Sequence, residues 1–223
     1  MLKRMVLAAM AVSFATSIYA AKITEGFEDK SVLKKWEIEG SAVISTDQQH
    51  GGKSSLYTPV GSTAIFRFSP DNKFGTVTMW VYDSSVNRKG KGEGPYFGLI
   101  NSDDDKAVEA ISFAPYLAMN QYAVIFTAEN QWFSKWNSGI ARAKATWMKF
   151  VFTFTDDKTL GVTANDDKED TTFPTKLEFF NKGANGIVFA GGADLKPKNE
   201  TFYYDDIEID VKDTVKEEKK PSK

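Results

Sequence analysis

The sequence predicts an all-β domain built from two packed antiparallel sheets, and three observations predict it. About a dozen short segments rich in β-branched and aromatic residues alternate at period two, with turn residues between them. No long segment with the 3.6-residue period of a helix follows residue 20, and no stretch repeats. The closing stretch, Phe202-Tyr-Tyr-Asp-Asp-Ile-Glu-Ile-Asp-Val211, sets aromatic and aliphatic residues against acids.

Parity in that last strand puts Tyr203, Asp205, Ile207, Ile209 and Val211 on one face. Phe202, Tyr204, Asp206, Glu208 and Asp210 take the other. The isoleucines mark the first face as core, so Asp205 is expected to point inward. A carboxylate there needs hydrogen-bond donors, a cation or a raised pKa.

Taken in order, Ser31 to Trp36 predicts one helical turn capped by Ser31. Strands are expected over 41–45 and 54–58, with His50-Gly-Gly-Lys53 as the turn between them. The next strand, 63–68, ends at the turn Ser69-Pro-Asp-Asn72. Residues 74–83 form a long strand with Val77, Met79 and Val81 on one side and Thr76, Thr78, Trp80 and Tyr82 on the other. The glycine-rich run 87–94 lacks the GK[ST] ending of a phosphate loop and is read as a flexible loop.

Strands follow over 95–100 and 108–113, separated by the acidic turn 101–105, which lacks full calcium-loop spacing. Residues 121–126 and 132–136 pair around 128–130. Trp147 to Phe154 alternates strictly, with Met148, Phe150, Phe152 and Phe154 on one face, and turns at 156–158 into 160–164. Residues 165–175 are read as loop and 187–190 as a core strand.

Residues 1–20 have the form of a secretory signal peptide: Lys3 and Arg4, the apolar run 5–14, then Ser17-Ile-Tyr-Ala20. The apolar run is too short to span a bilayer comfortably. The expected organisation is therefore a leader over 1–20, a sandwich domain over 21–211 and a charged, disordered tail over 212–223. The expected location is secreted or periplasmic, with no membrane span after cleavage.

Cleavage would remove two basic residues and no acid, leaving 26 basic against 30 acidic and a net charge of −4. A mildly acidic domain without a basic cluster gives no basis for nucleic-acid binding. With no cysteine, stability must come from a large core, with or without a metal. The single histidine, His50, sits beside two glycines with no paired nucleophile motif and is read as a plain loop residue.

Three short pieces carry a family resemblance. Gly26-Phe-Glu-Asp29 is followed by Trp36, His50 to Leu56 forms a His-Gly-Lys-Ser-Leu-like turn with one extra glycine and serine, and Tyr204-Asp-Asp-Ile207 closes the domain. Together they resemble the jelly-roll carbohydrate-binding modules, within the wider group of concanavalin-like and laminin-G-like lectin sandwiches. The resemblance implies a two-sheet antiparallel jelly-roll β-sandwich and a structural calcium ion. Its implied ligands are Glu28, the backbone near Lys53, and Asp205 or Asp206, with parity favouring Asp205.

The resemblance also implies a poly- or oligosaccharide partner. Sugar-binding sandwiches stack aromatic rings on pyranose faces and read hydroxyls with nearby polar groups. Candidate ligand contacts are Trp132 and Trp136, four apart on one expected strand face, with Trp80, Tyr82 and Arg67. Arg142, Asn130, Gln131 and Asn137 could add hydrogen bonds. The alternative reading for these rings is that they fill the core.

Catalysis on the same fold is the competing class. Glu208-Ile-Asp-Val-Lys212 begins the acid pattern of jelly-roll glucanases and breaks it with lysine, so a two-carboxylate mechanism is incomplete. The arginine-rich strand and histidine–tyrosine pair of lyase sandwiches are not evident. The sequence therefore favours a non-catalytic binding protein over a polysaccharide-degrading enzyme. A structural or protein-binding surface protein stays open, because fold does not dictate function.

Overall fold

The computed structural model describes residues 21–71, 73–84, 95–101, 109–116, 121–128, 131–142, 145–155, 160–165, 171–173, 183–192 and 201–212. The expected leader, the glycine-rich loop 87–94, the aspartates 103–105, the turn 156–158 and residues 213–223 of the tail lie outside the described residues.

Among the described residues fifteen strands follow one another: β1 (Ala21–Glu25), β2 (Glu37–Glu39), β3 (Val43–Ser45), β4 (Ser55–Thr58), β5 (Thr63–Arg67), β6 (Phe74–Asp83), β7 (Tyr96–Asn101) and β8 (Glu109–Tyr116), then β9 (Gln121–Ala128), β10 (Gln131–Ala141), β11 (Trp147–Phe154), β12 (Leu160–Ala164), β13 (Thr171–Phe173), β14 (Gly186–Ala190) and β15 (Phe202–Lys212). They form two antiparallel sheets. The first runs β13-β12-β11-β6-β15-β4-β3, with β1 also on β15, and the second runs β10-β9-β8-β7-β14-β5-β2. No helix among the described residues is long and apolar enough to cross a membrane.

Alternation builds the core as the sequence predicts. Val77, Met79 and Val81 of β6 and Phe150, Phe152 and Phe154 of β11 are buried from the first sheet. Phe97, Leu99, Phe113, Tyr122, Val124 and Phe189 meet them from the second. The rings interlock edge to face across the gap, Phe97 on Phe150 at 4.7 Å and Tyr122 on Phe150 at 5.3 Å. Phe189 stacks on Tyr204 at 3.9 Å.

An ion pair is sealed inside. Arg142 donates through Nε to Asp83 Oδ2 (2.8 Å) and through Nη2 to Oδ1 (2.9 Å), and the Tyr122 hydroxyl donates to Asp83 Oδ2 at 3.2 Å. Asp83 ends β6 of the first sheet, while Tyr122 belongs to β9 of the second. The pair therefore ties the two sheets together, and Arg142 is a structural residue rather than a sugar contact.

The closing strand departs from simple parity. Phe202 and Tyr204 are buried in the core, and so are Ile207, Ile209 and Val211. These two sets have opposite parity, which requires an extra residue between them. It is a β-bulge: the register of β15 on β6 shifts between Asp205 and Glu208, and Asp206 has φ 43°. Tyr203, expected in the core, therefore faces outward. The bulge also marks where β15 changes its other neighbour, pairing with β4 through 202–204 and with β1 through 207–211.

Three further differences have local causes. The helical turn is a 3-10 helix (Lys30–Lys35) capped by Asp29, whose carboxylate accepts from Ser31 N–H, not by Ser31. β1 and β2 were not expected, and β13 falls in an expected loop. At three to five residues each they carry too little alternation to read. Lys212, assigned to the tail from the sequence, belongs to β15.

Candidate functional site

The bulge gathers the three pieces that resemble the jelly-roll modules. Asp205 is fully buried, and its carboxylate accepts from three backbone N–H groups: His50 (2.9 Å) and Gly51 (3.2 Å) on Oδ2, Asp206 (2.8 Å) on Oδ1. Its burial, expected from parity, comes from the His50 turn laid across the strand. Desolvation raises its pKa to about 6, against the pull of the His50 and Asp206 N–H bonds, while the neighbouring Asp206 charge adds to the rise.

Glu28 holds the other end of the turn. Its Oε1 accepts from Lys53 N–H at 2.9 Å and Ser54 N–H at 3.2 Å, and Ser54 Oγ donates to the Phe27 carbonyl at 3.0 Å. The first loop, the 50–54 turn and the last strand are thus stapled by carboxylates that accept from main-chain N–H groups.

Gly52 makes the close approach possible. It has φ +62°, and a Cβ there would lie 2.1 Å from Glu28 Oε1. Gly52→Ala is expected to destabilise the domain by about 1–3 kcal/mol, through left-handed strain and loss of the Glu28 hydrogen bonds. A denaturant melt measures it, and an unchanged midpoint would refute the staple.

Glu28, Asp205 and Asp206 each reach the 50–54 turn, and carboxylates suit a hard cation in charge. The donors facing Glu28 and Asp205 are nevertheless N–H groups, whereas calcium takes six to eight oxygens. Among the described residues, no group of three or more His, Cys, Asp or Glu side chains is gathered to hold a metal ion. Lys53 contributes its N–H to the staple, not a carbonyl.

His50, a loop residue as expected, is carried by the same turn onto the outer face of the first sheet. Its Nδ1 lies 2.7 Å from Asp206 Oδ2, and its ring stacks on Trp80 at 3.7 Å and 18°. Beyond it the rings continue from strand to strand. Trp147 on β11 meets His50 (5.7 Å) and Tyr82 on β6 (5.5 Å). Tyr82 meets Tyr203 on β15 (6.1 Å), and Tyr203 stacks on Tyr57 of β4 (4.9 Å).

Backbone register explains the alignment: Trp147 pairs with Tyr82, Tyr82 with Tyr203 and Tyr203 with Tyr57, so all project from one face. Trp80, Tyr82, Trp147 and Tyr57 are partly exposed, while Tyr203 is nearly covered between its neighbours. The outer face of this sheet thus presents an aromatic band across four strands.

The expected ligand contacts divide between the sheets. Trp80 and Tyr82 are in the band. Arg67 is on β5 of the second sheet, with Nε 2.7 Å from Glu37 Oε1. Trp132 and Trp136 lie in β10, at the edge of the second sheet, and their side chains are outside the described residues. A register shift between Phe133 and Trp136 interrupts the alternation on which their shared face was argued. Asn130 is outside the described residues. Trp147, Tyr57, Tyr203 and His50 were missed. Trp147 and Tyr57 did carry a signal, since each opposes the apolar parity of its own strand.

No family model matches the sequence, and no curated protein matches it either. Solved structures do. The cellulose-induced protein Cip1 superposes with TM-score 0.57 at 13% identity, over 83% of this chain and 95% of that one. The fold is a jelly-roll sandwich. A conserved carbohydrate esterase of Shiga toxin-encoding bacteriophage phi24B shares this sandwich with TM-score 0.53 at 14% identity, covering 85% of this chain and 100% of that one. The receptor-binding domain of botulinum neurotoxin mosaic serotype C/D shares it with TM-score 0.52 at 11% identity, over 81% of this chain and 43% of that one. The architecture is therefore the two-sheet jelly-roll sandwich that the three short sequence pieces pointed to.

Proposed function

We propose that this chain is an exported, non-catalytic saccharide-binding protein whose ligand lies on the aromatic band of the first sheet. The observation that carries the reading is the run of rings Trp147, Tyr82, Tyr203 and Tyr57 on one outer sheet face, with Trp80 and His50 beside it. Solvent-facing aromatics of this density suit the apolar faces of sugar rings. The shared fold of a carbohydrate esterase and a cellulose-induced protein supports a carbohydrate setting. A glycan array followed by affinity electrophoresis tests it. Retardation lost in Trp80→Ala and kept in Trp132→Ala places the ligand on the first sheet. The reverse pattern moves it to the second, and no retardation with any polysaccharide refutes saccharide binding and favours a protein-binding surface.

A hydrolytic reading has one observation in its favour, the His50–Asp206 contact of 2.7 Å, which has the form of a base held by its orienting acid. Against it, Glu208 of the acidic strand is ion-paired to Lys22 at 2.8 Å. Release of reducing sugar from a bound polysaccharide would decide for the enzyme.

A structural calcium ion at the Glu28–Asp205–Asp206 site is part of the same proposal, supported by Glu28 and Asp205 both reaching the 50–54 turn near the pairing of the first and last strands. Calcium is expected to raise the melting temperature by several degrees if it binds only the folded chain. Calorimetric traces that coincide with and without chelator would remove the ion from the reading.

A further inference from the structure

The aromatic band does not stop at Tyr57. On the far side of that ring, toward the free edge of the first sheet at β3, lies a groove lined by Glu28, Lys30, Val43, Asp47, Ser54 and Tyr57. Tyr57 is thus a wall of the groove and a member of the band at once. We propose that the site takes a linear oligosaccharide, which crosses the strands over the band and passes Tyr57 into this groove, where Asp47 and Lys30 bind the hydroxyls of its outermost unit. The inference rests on the saccharide-binding reading above and extends it to ligand length.

Several features fit this occupant. A sugar hydroxyl both donates and accepts, so it can be met by a carboxylate and an ammonium set on one groove. Tyr57 supplies a ring wall, and Val43, 45% exposed at the sheet edge, supplies an apolar one. The Asp47 backbone N–H donates to Ser45 Oγ at 3.1 Å, which fixes the turn that presents its carboxylate. Asp47 also acts on both neighbouring rings: after burial, its charge is the next cause holding the Tyr57 and Tyr203 phenols above their ordinary pKa. Asp47 and Tyr57 line the same groove, which sets this acid at the end of the band. Glu28 is engaged by the main chain of Lys53 and Ser54 and forms wall rather than contact. Two acids in the groove disfavour an anionic terminal unit, so the expected ligand is neutral there.

Titration calorimetry with cello-, xylo- and arabino-oligosaccharides of two to six units tests the proposal, using wild type, Asp47→Ala, Asp47→Asn and Trp80→Ala. In whichever series binds, Asp47→Ala is expected to weaken the longest members about tenfold and leave the disaccharide unchanged. Asp47→Asn, which keeps the shape of the side chain, should show the same length dependence with a smaller loss. Trp80→Ala should weaken every length. Asp47 variants that match wild type at all lengths, or weaken all lengths equally, overturn the groove while leaving binding on the band intact. A wild-type protein that binds none of the three series overturns both readings. Melting temperatures of the variants within about a degree of wild type exclude a folding cause, because a surface substitution of this kind changes stability little.

Discussion

Asp83→Ala is expected to destabilise the domain by about 3–5 kcal/mol, because it removes the carboxylate that balances the buried Arg142 charge. Asp83 is fully buried and Arg142 is 6% exposed, so water cannot replace the lost carboxylate. Tyr122 would lose its acceptor as well. The urea midpoint should fall with the slope unchanged, since the surface exposed on unfolding stays the same. The double variant Asp83→Leu/Arg142→Met removes both charges and fills similar space, and it should recover most of the loss. If the single substitution costs under about 1 kcal/mol, the pair is solvated and the sheets are not joined through it.

Trp147→Ala is expected to weaken saccharide binding by about 2 kcal/mol, roughly thirtyfold in Kd, while changing stability far less. Trp147 sits between Tyr82 and His50 and is partly exposed, so its removal shortens the band without opening the core. Phe150, three residues on and of the opposite parity, is the control. It is fully buried among Phe97, Phe113 and Tyr122, so Phe150→Ala should cost about 3–5 kcal/mol of stability. Two substitutions in one strand thus separate binding from folding. Equal affinity of Trp147→Ala and wild type would place the ligand elsewhere.

The two faces of β6 and β11 were legible before any coordinates, since period two in a strand follows from the pleat alone. Trp80 and Tyr82 were placed on the side opposite Val77, Met79 and Val81 on that basis, and there they are partly exposed. The same rule failed at Tyr203. It presumes an uninterrupted strand, and the bulge at Asp205 and Asp206 reverses the parity on one side. A second register shift interrupts β10 between Trp132 and Trp136, so the argument from a spacing of four lost its premise there too. The contacts of His50 were not legible for a different reason. Its local surroundings are those of a turn, and its partners are an acid 156 residues away and a ring on another strand.

By itself the sequence determined the class of fold and the core-facing positions of the long strands, and the family resemblance implied the meeting of first loop, 50–54 turn and last strand. These follow from alternation, turn chemistry and three short motifs, all of which act over a few residues. Only the tertiary structure decided which aromatics share a surface. That depends on the pairing registers of β4, β15, β6 and β11, strands that are far apart in the chain and aligned by the packing of the whole sheet.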